Sequence, residues 1–192
     1  MPAERLKNAV EEFIRLVKRE IHADAVLVSA DDVFEVKRTP SVLLQGPVLT
    51  ENTARRTPAR FLERDVPALS YEECNAPRLY HLDFDIIVTT ATEPELLAFQ
   101  ERVARFYQVH PVLDMGPDGT LNLTELTPLG GLKRVNLSNL RQASGRARIE
   151  DCPVYDGIVR EGKLIRDRTF QYSGGVDETI THEPPSEGEN HD

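Results

Sequence analysis

The sequence predicts an α+β fold: a mainly antiparallel sheet with two helices packed on one face, followed by a disordered acidic C-terminal tail. Three observations predict it. The stretch Tyr80-His81-Leu82-Asp83-Phe84-Asp85-Ile86-Ile87-Val88 puts Tyr80, Leu82, Phe84, Ile86 and Val88 at alternate positions, so one face of a strand is apolar. Thr92-Glu93-Pro94-Glu95 then opens a helix whose Leu96, Phe99, Val103 and Phe106 recur at spacings of three and four, one apolar stripe. The strands of the remaining chain lack the regular helical crossovers that a parallel sheet needs. A one-faced strand and a one-striped helix each require an apolar partner, and the simplest packing lays the helix on the sheet.

The other elements follow in order. Residues 3–21 carry Leu6, Val10, Phe13, Ile14, Val17 and Ile21 at helical spacing, a surface helix with one buried stripe. Residues 25–29 and 41–45 read as short strands, the second bounded by Pro40 and by Gly46-Pro47, with a weaker extended piece at 32–37. Residues 50–79 hold Arg55, Arg56, Arg60 and Arg64, three prolines and no apolar period, and read as a loop of about 30 residues. A loop so long needs something to hold it, and a neighbouring subunit is the natural candidate. Beyond the second helix, Gly116-Pro117-Asp118-Gly119 and Thr127-Pro128-Leu129-Gly130-Gly131 read as turns. Residues 121–126, 132–140 and 146–150 read as extended. A final hairpin over 154–172 is expected to turn at Arg160-Glu161-Gly162-Lys163.

The 192 residues suit one α+β domain over 1–172 and a tail over 173–192. The tail carries Asp177, Glu178, Glu183, Glu187, Glu189 and Asp192 with no Lys or Arg, which accounts for most of the net charge of −9. The rest is nearly balanced, so specific or bulk-charge binding of nucleic acid is not expected. No run approaches the length of a membrane span, and two cysteines without a secretory leader suggest free thiols in the cytoplasm.

Reactive groups are sparse. His81, Asp83 and Asp85 share one strand face, a solvated face in preference to a metal site. Glu35-Val36-Lys37 with Asp24 resembles half of a metal-dependent nuclease core of the PD-(D/E)xK kind, in which acids bind Mg²⁺ and a lysine orients water. No nucleophile elbow, phosphate-binding loop or zinc motif is present. Neither a cofactor nor catalysis is expected. Glu51, Asn52, Arg55, Arg56, Arg60 and Arg64 are the candidate interface residues, since arginine forks suit carboxylates on a partner.

The order Val42-Leu43-Leu44, then Leu49-Thr50-Glu51-Asn52 with Arg55-Arg56, the long loop, the Tyr80–Val88 strand, the Glu95–Tyr107 helix and His110-Pro111-Val112-Leu113 resembles the tail terminator proteins of phage tails and contractile injection systems. The resemblance covers about residues 1–150. It implies a structural protein that caps the tail tube as a six-membered ring. Its partners would be copies of itself, tube and sheath proteins, and a head-completion or cap protein. It would assemble in the cytoplasm into a virion or tail-like particle. The alternatives are the nuclease and a non-enzymatic adaptor domain.

Overall fold

The computed structural model describes residues 4–29, 38–65, 70–130 and 140–163. The extended piece at 32–37, most of 132–140 and the tail at 173–192 lie outside them. The chain divides into two compact units, Met1–Thr57 with Pro77–Asp156, and Pro58–Ala76 with Gly157–Asp192.

The first unit is an α+β layer. Its strands are β1 (Val26–Val28), β2 (Ser41–Glu51), β5 (Arg78–Thr90), β6 (Val112–Asp114), β7 (Thr120–Gly130) and β8 (Arg141–Val154), in the order β1-β2-β5-β8-β7-β6. Every pairing is antiparallel except β1 with β2. The helices are α1 (Arg5–Glu20) and α2 (Glu93–Val109).

The expected dry face is present. Leu82, Phe84, Ile86 and Val88 of β5 are buried, and their cross-strand partners Ile149, Ala147, Gly145 and Ala143 share that face. Both helices cover it. Phe13 of α1 meets Phe84 with ring centroids 4.9 Å apart. Leu96, Phe99, Val103 and Phe106, the predicted stripe of α2, are all buried in the same cluster. On α1 the buried line runs through Ala9, Phe13, Leu16 and Val17, while Leu6, Val10 and Ile14 are only partly covered. Arg102 of α2 donates to the Ile21 carbonyl at 2.9 Å, satisfying an acceptor left open at the end of α1. Thr92 is the N-cap of α2 without a side-chain cap bond, and Glu95 reaches back instead to the Ala91 N–H at 3.3 Å.

Three strands run further than their local sequence signals. β2 passes through Gly46-Pro47, which together face Phe84 alone, so the register shifts there. β7 continues through Thr127-Pro128-Leu129-Gly130, read as a turn, with two register shifts. β8 passes through Ser144-Gly145, where a Cβ on Gly145 would stand 2.9 Å from the Thr127 carbonyl. In each case a bulge or a close strand approach absorbs the residue that ordinarily ends a strand.

Glu125 is half-buried on β7, and burial raises its carboxyl above the ordinary 4.5. It lies near Tyr107, whose buried hydroxyl finds no partner among the described residues and is pushed well above its usual range, first by burial and then by the Glu125 charge. A carboxyl raised by folding binds its proton more tightly in the native state. Its contribution is therefore most favourable below about pH 4.5 and declines as pH rises through the folded value. Glu125→Gln is expected to raise the melting temperature at pH 7 and to leave it nearly unchanged at pH 4. Equal shifts at both pH values in thermal denaturation would contradict this.

The second unit holds β3 (Arg60–Asp65), β4 (Ser70–Asn75) and β9 (Val159–Lys163), antiparallel in the order β3-β4-β9. This corrects two readings. Much of the stretch 50–79 is hairpin and not loop, and Arg160–Lys163 are strand and not turn. Among the described residues no side chain of this sheet is fully buried, and β3, exposed throughout, shows no apolar alternation. Among the described residues no helix is long and apolar enough to cross a membrane.

Candidate subunit interface

Four of the six predicted interface residues lie in the first unit: Glu51 ends β2, Arg55 ends the 3-10 turn Thr53–Arg55, and Asn52 and Arg56 flank that turn. Asn52 and Arg55 gather on Asp151, which with Glu150 forms a bulge in β8 opposite His81. The bulge has a packing reason. Ile149 and Cys152 are an odd number of residues apart, yet both are fully buried, and the extra residue makes that possible. Asp151 takes φ 56, a left-handed conformation that aspartate tolerates better than most residues. Its carboxylate accepts from Asn52 Nδ2 at 2.7 Å and from Arg55 at 2.7 Å, and its N–H lies 3.3 Å from His81 Nδ1. Arg56 pairs with Glu51 at 3.2 Å. The arginines thus find their first acids within the chain and are held in position at the surface.

Arg60 and Arg64 lie on β3 in the second unit. Arg60 pairs with Glu73 across the strands at 2.7 Å. The register assigns every side chain of this small sheet to a face. Phe61, Cys74 and Val159 make one row, and Glu63, Glu72 and Glu161 another on the same face. The opposite face carries the row Leu62, Glu73 and Arg160 and the row Arg64, Tyr71 and Gly162. Tyr71 lies over Gly162, so closely that a Cβ there would stand 2.2 Å from its ring. An aromatic covering a glycine on an edge strand compensates for the missing side chain.

The outer face of the large sheet is an ion-pair ladder. Asp83 receives both Nε and a terminal nitrogen of Arg148, at 2.6 and 2.9 Å, and Asp85 receives Arg146 at 3.0 Å. These are the carboxylates considered above for a metal, and the cross-strand arginines already occupy them. A hollow of about 270 Å³ here is lined by Gln45, Val48, Asp83, Asp85 and Arg146. Among the described residues no group of three His, Cys, Asp or Glu side chains is placed to hold a metal ion. Asp24 is exposed in the turn before β1, while Glu35 and Lys37 lie outside the described residues. Both cysteines are free, and burial pushes the Cys152 thiol up, away from reactivity.

Reasoning from sequence missed Asp151, the glutamate row Glu63, Glu72 and Glu161, and the exposed Phe61 and Leu62. The alternation of charge within 60–65 was the one local signal. Its direct partners are Glu73, Glu72 and Tyr71 of β4, and the third member of each row comes from β9, about a hundred residues later in the chain.

No protein family model matches the sequence, and no curated protein matches it. Among solved structures the chain is similar to the sheath/tube terminator of an extracellular contractile injection system, PVC, in the extended state, with a TM-score of 0.58 at 13% identity over 95% of this chain and 67% of the terminator's. At that identity the likeness is one of fold alone.

Proposed function

We propose that this chain is a structural protein that caps the end of a phage-like or injection-system tail tube as a ring and offers a docking surface to a head-completion or cap protein. The observation that carries this reading is the fold likeness to a sheath/tube terminator over nearly the whole chain. Copies of the chain itself, most simply six, and the tube and sheath proteins are its partners, and the assembled particle is where it works. The action is one of shape: one surface matches the last tube ring, and the other does not template another. No cofactor enters. Glu51, Asn52, Arg55 and Arg56, with Asn52 and Arg55 bonded to Asp151 and Arg56 paired with Glu51, form a surface element that suits a partner whose position must be fixed.

The test adds the full chain to polymerising tube protein of its own system and measures tube lengths by electron microscopy. Shortened, capped tubes bearing a ring are expected, with a mass on the order of 130 kDa for six copies of a 21.6 kDa chain. Tubes that grow past the added protein would remove the reading. Mg²⁺-dependent cleavage of DNA that is lost in Glu35→Ala would replace it with the nuclease.

A further inference from the structure

We infer that the three-stranded sheet β3-β4-β9 joins copies of this chain head to tail, the acidic face of one copy seated on the basic face of the next. The inference rests on the ring reading above and names the surface that such a ring uses.

Three features of the small sheet point to a partner. The first is apolar exposure on both sides. Phe61 is 56% and Val159 49% exposed on one face, and Leu62 is 48% exposed on the other, next to Tyr71. A three-stranded sheet with no buried side chain among its described residues lacks the apolar cover that such a sheet needs. The second is the row Glu63, Glu72 and Glu161. Directly opposed side chains in an antiparallel pair stand about 5 Å apart at Cβ, and like charges there repel. Among the described residues no cation pairs with any of the three. The third is the opposite face, where Arg60, Arg64 and Arg160 meet a single acid, Glu73. Arg60 takes that acid, and Arg64 and Arg160 have no ion pair among the described residues.

The occupant follows from complementarity. One face has unrelieved acids beside an apolar row, and the other has unrelieved arginines beside an apolar pair. Two copies meeting by like faces would set glutamate against glutamate. Two copies meeting by unlike faces put each arginine near a glutamate and bury Phe61 and Val159 against Leu62 and Tyr71, with the sheets about 10 Å apart. A contact between unlike patches is heterologous, the kind that closes into a ring when the rotation allows.

Two double variants test this. Arg64→Glu with Arg160→Glu makes both faces acidic. Glu63→Arg with Glu161→Arg makes both faces basic and also breaks up the repulsive row. The mass of the full-length chain is followed against concentration at low and high ionic strength. The unaltered chain is expected to associate, less so in high salt. Each variant alone should be weakened at least about tenfold, since every unlike contact is lost. An equimolar mixture should recover the association, because the two variants can alternate. Recovery also shows that both are folded. Unweakened single variants, a mixture of folded variants that does not associate, or an unaltered chain that stays monomeric throughout would each overturn the inference. Association seen only after residues 174–192 are deleted would assign the basic face to the chain's own acidic terminus, and would likewise overturn it. Variants that fail in mixture but still cap tubes leave the terminator reading standing. A mixture that associates although the unaltered chain ignores tube ends does the reverse.

Discussion

Replacing Phe84 by Ala is expected to lower the unfolding free energy by about 3–5 kcal/mol, a fall in melting temperature on the order of 10 °C for a chain of this size. Phe84 is 1% exposed at the middle of β5, a central strand, with Phe13 of α1 on its ring. The shortened side chain would leave a cavity between sheet and helix. The site has little freedom to collapse, because β5 is fixed on both sides by β2 and β8. Urea denaturation checks this through a lower midpoint at an unchanged slope. A change below about 1 kcal/mol would mean that the layer between helix and sheet is loosely packed.

Gly46→Ala is expected to cost about 2–4 kcal/mol, though the substitution adds a single methyl group. Two causes combine. Gly46 has φ +138, a conformation that side-chain-bearing residues rarely adopt, and a Cβ there would stand 2.8 Å from the Asp83 carbonyl oxygen and 3.3 Å from the Phe84 ring. The Asp83 backbone is poorly placed to yield, since Arg148 grips its carboxylate with two hydrogen bonds. Gly119→Ala separates the causes: Gly119 has φ +90, and a Cβ there meets nothing within 4 Å. It should show the conformational share alone, about 1–2 kcal/mol. Equal costs at the two sites would show that the approach of β5 to Gly46 carries no penalty.

The central strand, both helices and the dry face were legible because their side chains report directly on solvent. Phe84 and Val103 sit where an apolar period puts them, and water enforces that period along a few successive residues. Strand ends were less legible. Gly46-Pro47, Pro128 and Ser144-Gly145 are ordinary breakers, but here bulges and neighbouring strands accommodate them, and those neighbours are distant in sequence. The candidate interface was half visible. Its arginines stand out as a run, while the acid that organises Arg55 and Asn52 lies 96 and 99 residues away at Asp151.

Periodicity alone determined the class of fold and the buried side of the sheet, since each depends on near neighbours along the chain. Only the tertiary structure decided that 60–65 and 70–75 are strands, that Asp83 and Asp85 face arginines, and that the small sheet has one acidic and one basic side. The last two follow from pairing between segments far apart in the chain, while 60–65 and 70–75 pair with each other in a hairpin without any side chain that is fully buried. Where neither face of a strand leaves water, local pattern carries no trace of its partner.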